Sequence, residues 1–188
     1  KYGVKVVGIT ISREQAALAR ERCKGLPIDI RVEDYRDTTG TFDRIVSLGM
    51  FEHVGPKNYR TYMQKMNSLL AHDGIFLLHT IGGDQDGKTA DPWIDKYIFP
   101  TGVLPSVGQI GAALEKLFIL EDWHNLGPNY AKTLMAWHSN ISAAWPELAG
   151  RYSERFRRRW TFYRLSSAGG FLSRRLNLWQ LVLSKKGI

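Results

Sequence analysis

Phe42-Asp43-Arg44-Ile45-Val46-Ser47-Leu48 has the make-up of a strand, and one glycine later it gives way to Met50-Phe51-Glu52-His53-Val54-Gly55. A carboxylate and an imidazole therefore stand just past a strand end, which is where open α/β sheets bind their ligands. Gly74-Ile75-Phe76-Leu77-Leu78-His79-Thr80-Ile81-Gly82 repeats the design, an apolar run closing on polar residues and a glycine. Two neighbouring strand ends are expected to converge on one pocket.

Outward from these two runs, strand and helix signals alternate. Val4 to Ile9 reads as a buried strand, and Ser12 opens a helix with the S-x-x-Q spacing of a capping box to Gln15. Gly25 and Pro27 end that helix. Ile28 to Val32 reads as a strand, Pro56 to Leu70 as a helix with proline near its first position, and Ile75 to Thr80 as a strand. Helices over Ser106–Lys116 and Tyr130–Trp145, a strand over Phe118–Asn125, a basic helix and a closing strand over Leu176–Leu183 complete the chain. This alternation predicts a mostly parallel sheet with helices on both faces, in one domain over residues 1–188. The stretch from Ile81 to Ser106, with four glycines and three prolines, is too long for an ordinary connection and reads as a lid or substrate loop. Its Trp93, Tyr97, Ile98 and Phe99 either face an apolar ligand or anchor the loop to the core.

The 188 residues, 44% of them apolar, suit a globular chain with a real core. The apolar runs fall far short of the roughly 20 residues that span a bilayer, and the N-terminus lacks a signal-peptide pattern. A cytoplasmic protein is expected. The single cysteine, Cys23, fits a reducing compartment and reads as a buried helix residue. Neither His53 nor His79 reads as a metal ligand, because no third ligand stands at a familiar spacing, so no metal is expected. Standing alone, His79 would be a core histidine at a strand end; Glu52 at the neighbouring strand end argues for a site.

Charge is uneven along the chain. The net +8 lies in the last 38 residues, which carry 10 basic and one acidic side chain. There Arg151, Arg155, Arg157, Arg158, Arg159 and Arg164 alternate with Tyr152, Phe156, Trp160 and Tyr163, aromatics spaced to share one helix face. The plain reading is a surface helix with its aromatic face on the core. The functional reading adds an anionic partner, a phospholipid surface or a nucleic-acid backbone, and charge does not choose between them.

The ordered set of motifs resembles the S-adenosylmethionine-dependent cyclopropane-fatty-acyl-phospholipid synthases and the mycolic acid cyclopropane synthases. It is carried by Val7-Gly8-Ile9-Thr10-Ile11-Ser12-Arg13-Glu14-Gln15, Asp43 to Ser47, Met50 to Gly55, Leu78-His79-Thr80-Ile81-Gly82, Tyr97-Ile98-Phe99-Pro100, Leu104-Pro105-Ser106 and Tyr130-Ala131-Lys132-Thr133-Leu134. The resemblance implies a Rossmann-like class I methyltransferase fold. It also implies methylene transfer from S-adenosylmethionine to the cis double bond of an unsaturated phospholipid, with bicarbonate as base, at the inner face of an anionic membrane. A homodimer is allowed for, and nucleic acid is not an expected partner.

Carried over residue by residue, the bicarbonate ligands fall on Glu52, His79, Ile81 through its backbone, and Tyr130. His53 is expected to support Glu52. Thr10 and Gln15 correspond to the ribose and methionine end of the cofactor, Asp34 and Tyr35 to the adenine, and Leu48 with Gly49 to the sulfonium. Thr10 stands where many such folds place an acid, which shifts the ribose contact to Gln15. The family's first strand and glycine-rich loop would precede Tyr2, and its cysteine bicarbonate ligand has no counterpart, since Cys23 lies on the wrong element. These departures predict a C-terminal part of a synthase, inactive by itself. Alternatives are a non-catalytic basic binding module, or a fatty-acyl C-methyltransferase that stops before ring closure.

Overall fold

The computed structural model describes residues 2–87, 89 and 91–188. The chain divides into two compact units, Lys1–Thr41 and Phe42–Ile188. In the first, β1 (Val6–Thr10) pairs parallel with β2 (Ile28–Val32), Val6 opposite Ile28 and Thr10 opposite Val32. The strand expected to be buried is half-exposed instead, because a two-stranded sheet with one helix covers little of itself.

The connecting helix α1 (Arg13–Arg22) starts where its cap predicts, with the Gln15 N–H donating to Ser12 Oγ at 3.2 Å. The reciprocal half of the capping box is not made. Gln15 Oε1 accepts from Thr10 Oγ1 at 2.9 Å, and Thr10 Oγ1 itself accepts the Ser12 N–H at 3.1 Å. The hydroxyl at the end of β1 thus takes both partners that the box would have joined. Cys23 is the half-buried C-cap of α1 rather than a residue inside it.

In the second unit the sheet order is β3 (Phe42–Leu48), β4 (Leu70–Gly83), β6 (Leu176–Ser184), β5 (Ile119–Asn125). β3 and β4 are parallel, while β6 runs antiparallel to both β4 and β5. Three of the four strands therefore share one direction, and β6, inserted between two of them, makes the sheet mixed. β4 is longer than its apolar run suggests. Phe42 pairs with Leu70 across a register shift, and Gly82 and Gly83 pair with Asn177 and Leu176 at the other end.

Helices cover both faces of this sheet. Phe76, Leu78 and Thr80 stand opposite Leu183, Leu181 and Trp179 on one face, where Phe76 meets Tyr62 of α2 (Tyr59–Leu69) with ring centroids 6.4 Å apart. The other face carries Leu178, with Ile81 beside it. They pack with Ala131 and Leu134 of α5 (Gly127–Leu148) and Ala168 and Phe171 of α6 (Glu154–Leu172). Burying one such apolar side chain is worth about 1.5–3 kcal/mol. Two shorter helices complete the unit: α3 (Pro92–Tyr97), and α4 (Val107–Leu114) with a full capping box between Ser106 and Gln109. Among the described residues no helix is long and apolar enough to cross a membrane.

The basic helix differs in detail from its sequence pattern. Tyr152 precedes α6 and is 44% exposed. Phe156, Trp160 and Tyr163 form a half-buried ridge, with successive ring centroids 5.8 and 5.6 Å apart. Deepest in the helix are Arg164, Ala168 and Phe171. The loop aromatics act as anchors: Trp93 packs on Phe162 at 4.6 Å and Phe99 on Tyr163 at 5.9 Å. Lys88 and Ala90 of that loop lie outside the described residues.

Gly82 marks the tightest point of the β4–β6 pairing, since a Cβ there would lie 2.0 Å from the Trp179 ring. That ring is 4% exposed and packs on Trp123, so it has little room to yield. Gly82→Ala is expected to cost about 1–3 kcal/mol, read as a lowered midpoint in urea denaturation with unchanged slope.

Candidate active site at the ends of β3 and β4

Gly49 turns the chain as it leaves β3. Its φ of +60° lies in the left-handed region that glycine tolerates, and its N–H donates to the His79 carbonyl on β4 at 3.0 Å. The chain then enters a 3₁₀ turn over Phe51–His53, tightened by the His53 N–H donating to the Met50 carbonyl at 2.9 Å. Phe51 is fully buried and stacks on Tyr59 with ring centroids 4.3 Å apart. Glu52 is thereby turned inward, and it is only 7% exposed.

Its carboxylate is held from one side only. The Ile81 N–H donates to Oε1 at 2.7 Å, whereas Oε2 is buried and has no hydrogen-bond partner among the described residues. The Glu52 carbonyl accepts the Val103 N–H at 2.8 Å, and the Val103 carbonyl accepts the Tyr59 hydroxyl at 3.1 Å. Val103 thus latches the long loop onto the backbone of Glu52.

His79 stands opposite Leu48 in the β3–β4 register, two residues before Ile81 and on the same face of β4. Ile81 and Tyr130 both pack against the cluster formed by α5, α6 and β6. Tyr130 is placed by the end of β5. Asn125 Oδ1 accepts the Gly127 N–H at 3.0 Å, Asn125 Nδ2 donates to Asn177 Oδ1 at 2.8 Å, and the Leu126 N–H donates to the Leu178 carbonyl at 2.7 Å. These bonds start α5 beside β6. The Tyr130 ring then packs edge-on against Phe171 at 5.1 Å. Burial, helped by the charge of Glu52, pushes its hydroxyl above the ordinary tyrosine range. The same causes, in the same order, push Tyr59 up to about 12. Glu52, Ile81 and Tyr130 accordingly share one neighbourhood, and the β4 register brings His79 to it.

His53 does not touch the Glu52 carboxylate. It is exposed, its ring lies 6.1 Å from that of Phe99, and it supports Glu52 only through the backbone of the 3₁₀ turn. Tyr59, Val103 and Asn125 were not singled out in the sequence, whereas Tyr163 is read there as part of an aromatic helix face. The Asn125-Leu126-Gly127-Pro128 stretch carries a turn-and-helix-start signal that points to Asn125, but the contact between Tyr59 and Val103 spans 44 residues and leaves no local trace.

The residues assigned to the cofactor fall into the two units. In the first, Thr10 and Gln15 are joined to each other as described. Asp34 is held near a pKa of about 2 by its hydrogen bonds to Arg36, made by both the side chain and the backbone N–H. Burial raises Tyr35 above its ordinary range. In the second unit, Leu48 is 63% exposed beside the open turn at Gly49.

Residues 1–181 match the family of mycolic acid cyclopropane synthetases, and the chain belongs to that family. It is 56% identical over 184 residues to the cyclopropane-fatty-acyl-phospholipid synthase of Escherichia coli strain K12, an alignment that covers 98% of this chain and 48% of that protein. The chain thus spans about half the length of this relative. Among solved structures it is similar to the cyclopropane synthase MmaA2 from Mycobacterium tuberculosis, with a TM-score of 0.89, 28% identity, and coverage of 98% of this chain and 71% of that one. The mycolic acid cyclopropane synthase CmaA1, solved with SAH and CTAB, gives a TM-score of 0.88 at 28% identity with the same coverage. The Rossmann-like methyltransferase fold follows from these likenesses.

The buried tyrosines make stability depend on alkaline pH. Tyr59 and Tyr163 are each raised to about 12 from an ordinary 10.0, so the folded chain holds these protons more tightly than the unfolded one. Their contribution is complete below pH 10 and is lost as pH rises through the interval from 10 to 12, on the order of 2 kcal/mol for Tyr59. Tyr59→Phe is expected to flatten that alkaline loss while costing about 1 kcal/mol at neutral pH from the bond to Val103. Urea titrations at a series of pH values between 7 and 11.5 check both.

Proposed function

We propose that this protein carries the catalytic site of an S-adenosylmethionine-dependent cyclopropane-fatty-acyl-phospholipid synthase, its two units being parts of one catalytic domain. The observation that supports this reading best is Glu52, whose Oε1 is fixed by the Ile81 N–H while Oε2 is buried and unpartnered. A buried carboxylate oxygen without a donor is costly, so it calls for a ligand that brings an O–H. Bicarbonate fits that demand, and acetate or another fully ionised anion does not.

When bound, S-adenosylmethionine supplies the electrophilic methyl group and bicarbonate supplies the base that takes up a proton as the ring closes. Glu52 would accept the O–H of the anion at Oε2 and so fix which of its oxygens is left as the base. Tyr130, kept protonated by burial and by the Glu52 charge, donates its hydroxyl hydrogen. His79 and the Ile81 backbone complete the set. Phe51, Tyr59 and Phe171 beside these groups are all at most 2% exposed, which suits a site closed to water. A dry cavity strengthens each of these polar contacts and protects a cationic centre from hydration. Thr10, Gln15, Asp34 and Tyr35 are the residues proposed for the adenosine end of the cofactor, and Leu48 with Gly49 for its sulfonium end.

For substrate delivery we propose that α6 lies on an anionic phospholipid surface at the cytoplasmic face of a membrane. Phe162, Leu165 and Leu172 are 54%, 41% and 66% exposed on one side of that helix, with the exposed Arg155 and Arg158 at one end and Arg174 and Arg175 at the other. Apolar residues flanked by arginines suit the headgroup region. A groove of about 720 Å³ runs beside Arg158, Phe162 and Leu165. Arg157 and Arg159 are less available, since Arg157 pairs with Glu154 at 3.6 Å and Arg159 lies over the Tyr97 ring at 4.3 Å.

Glu52→Gln and Glu52→Ala are expected to lower methylene transfer by at least a hundredfold while leaving cofactor affinity within about threefold, the pattern of a group that acts at the reacting centre. Mass spectrometry of monounsaturated phospholipid vesicles, read for a gain of about 14 Da that resists hydrogenation, measures the first, and calorimetry the second; unimpaired turnover would remove Glu52 from the site. Replacing Arg155 and Arg158 with Gln is expected to weaken anionic-vesicle binding at low salt by about 1 kcal/mol per residue, more than replacing Arg157 and Arg159. Vesicle co-sedimentation across a salt series decides it.

A further inference from the structure

Arg164 is 7% exposed on α6, yet among the described residues it has no ion pair, and its Nε and Nη1 are buried without a hydrogen-bond partner there. Arginine cannot shed its charge under ordinary conditions, although burial pulls its pKa down. The guanidinium does lie over the Trp160 ring at 4.6 Å. That contact serves the face of the cation and leaves the Nε and Nη1 N–H groups, which point outward in its plane, unmet. An unpaired buried charge of this kind is costly enough to call for an anion.

A second unmet group lies level with it. α5 and α6 form an antiparallel pair: Arg157 lies over the Trp145 ring at 5.3 Å, and Ala131 and Phe171 share one cluster. His138 is seven residues from both Ala131 and Trp145, and Arg164 is seven from both Phe171 and Arg157. The helix register therefore sets His138 across from Arg164. His138 Nδ1 is also buried without a partner. The acidic residues of these two helices do not serve the spot. Glu154 pairs with Arg157 at 3.6 Å, and Glu147 is exposed near the far end of α5.

We propose that Arg164 and His138 form a phosphate-binding site between α5 and α6. Two N–H groups from the guanidinium and one from the imidazole, approaching from opposite helices, match a tetrahedral oxyanion better than a planar carboxylate, which one arginine fork satisfies. The phosphate comes either from solution or from a phospholipid headgroup, whose acyl part the exposed Leu165 beside Arg164 suits. This site does not depend on the methyl-transfer reading, because none of the residues proposed for that chemistry belongs to it.

Thermal melts of the purified protein in inorganic phosphate and in sodium chloride of equal ionic strength test the site. Phosphate is expected to raise the wild-type midpoint by about 2–4 °C at several times the dissociation constant. Arg164→Met, which fills the same space without charge, is expected to melt no lower than wild type in chloride and to lose the phosphate response. His138→Phe is expected to raise the phosphate concentration for half the effect about tenfold, and it reads the site independently should Arg164→Met fail to fold. Dihexanoyl phosphatidylglycerol below its micelle concentration separates the sources: protection at much lower concentration than inorganic phosphate assigns a lipid headgroup, and equal protection assigns the free anion. The proposal is overturned if phosphate and the soluble lipid both leave the wild-type midpoint where chloride does, or if Arg164→Met or His138→Phe responds like wild type.

Discussion

The hydrogen bond from the Ile81 N–H to Glu52 Oε1 ties the 3₁₀ turn after β3 to the backbone of β4, and the candidate site is arranged around it. An exposed glutamate samples many rotamers, whereas one clamped by a strand N–H presents its second oxygen in a single direction. The clamp works because neither end can move. Ile81 is held in the β4–β6 ladder opposite Leu178, and the turn is held by Phe51 under Tyr59 and by the Val103 N–H on the Glu52 carbonyl. One short bond thus orders a carboxylate, a strand end and the long loop together.

That arrangement also contributes to the protonation of its surroundings. A carboxylate in a poorly hydrated site acts over a longer range than one at the surface. Burial is the larger cause of the raised tyrosines Tyr59 and Tyr130, and the Glu52 charge adds to it, so both remain hydrogen-bond donors well above neutral pH. Tyr59 spends its proton on the Val103 carbonyl. Tyr130 has no such obligation among the described residues, and this difference is what separates a structural tyrosine from one able to meet a ligand.

Much of this was legible in the chain, because the signals are local. The apolar run Phe42–Leu48 is a strand with those bounds, as is Ile28–Val32, and Ser106 caps its helix with Gln109 as the spacing predicts. That Glu52 and His79 lie near each other also follows from sequence order, since the parallel pairing sets His79 beside Leu48 at the end of β3 and Glu52 follows in the next turn, although β4 itself runs on to Gly83. What escaped are pairings between distant segments: Tyr59 with Val103, Asn125 with Asn177, and the insertion of β6 between β4 and β5. Local competition misled too. Gln15 fits a capping box by spacing, but Thr10 offers it a hydroxyl from the strand end, and the box opens.

The basic helix shows why a count of charges cannot assign a partner. Its arginines occupy three physically different settings. Arg157 and Arg159 lie over the rings of Trp145 and Tyr97 and help to hold α6 against α5 and the loop helix α3. Arg155 and Arg158 stand in solvent, where they attract any anionic surface and lose that attraction as salt rises. Arg164 lies inside, where screening is weak and a missing counter-charge is most costly. The surfaces that the helix meets produce this sorting. Rings on α5 and α3 take Arg157 and Arg159, and Trp160 of the same helix takes Arg164 below the surface, so a stretch that is uniformly basic in sequence becomes a structural, an adhesive and a ligand-seeking set once it is coiled into one helix.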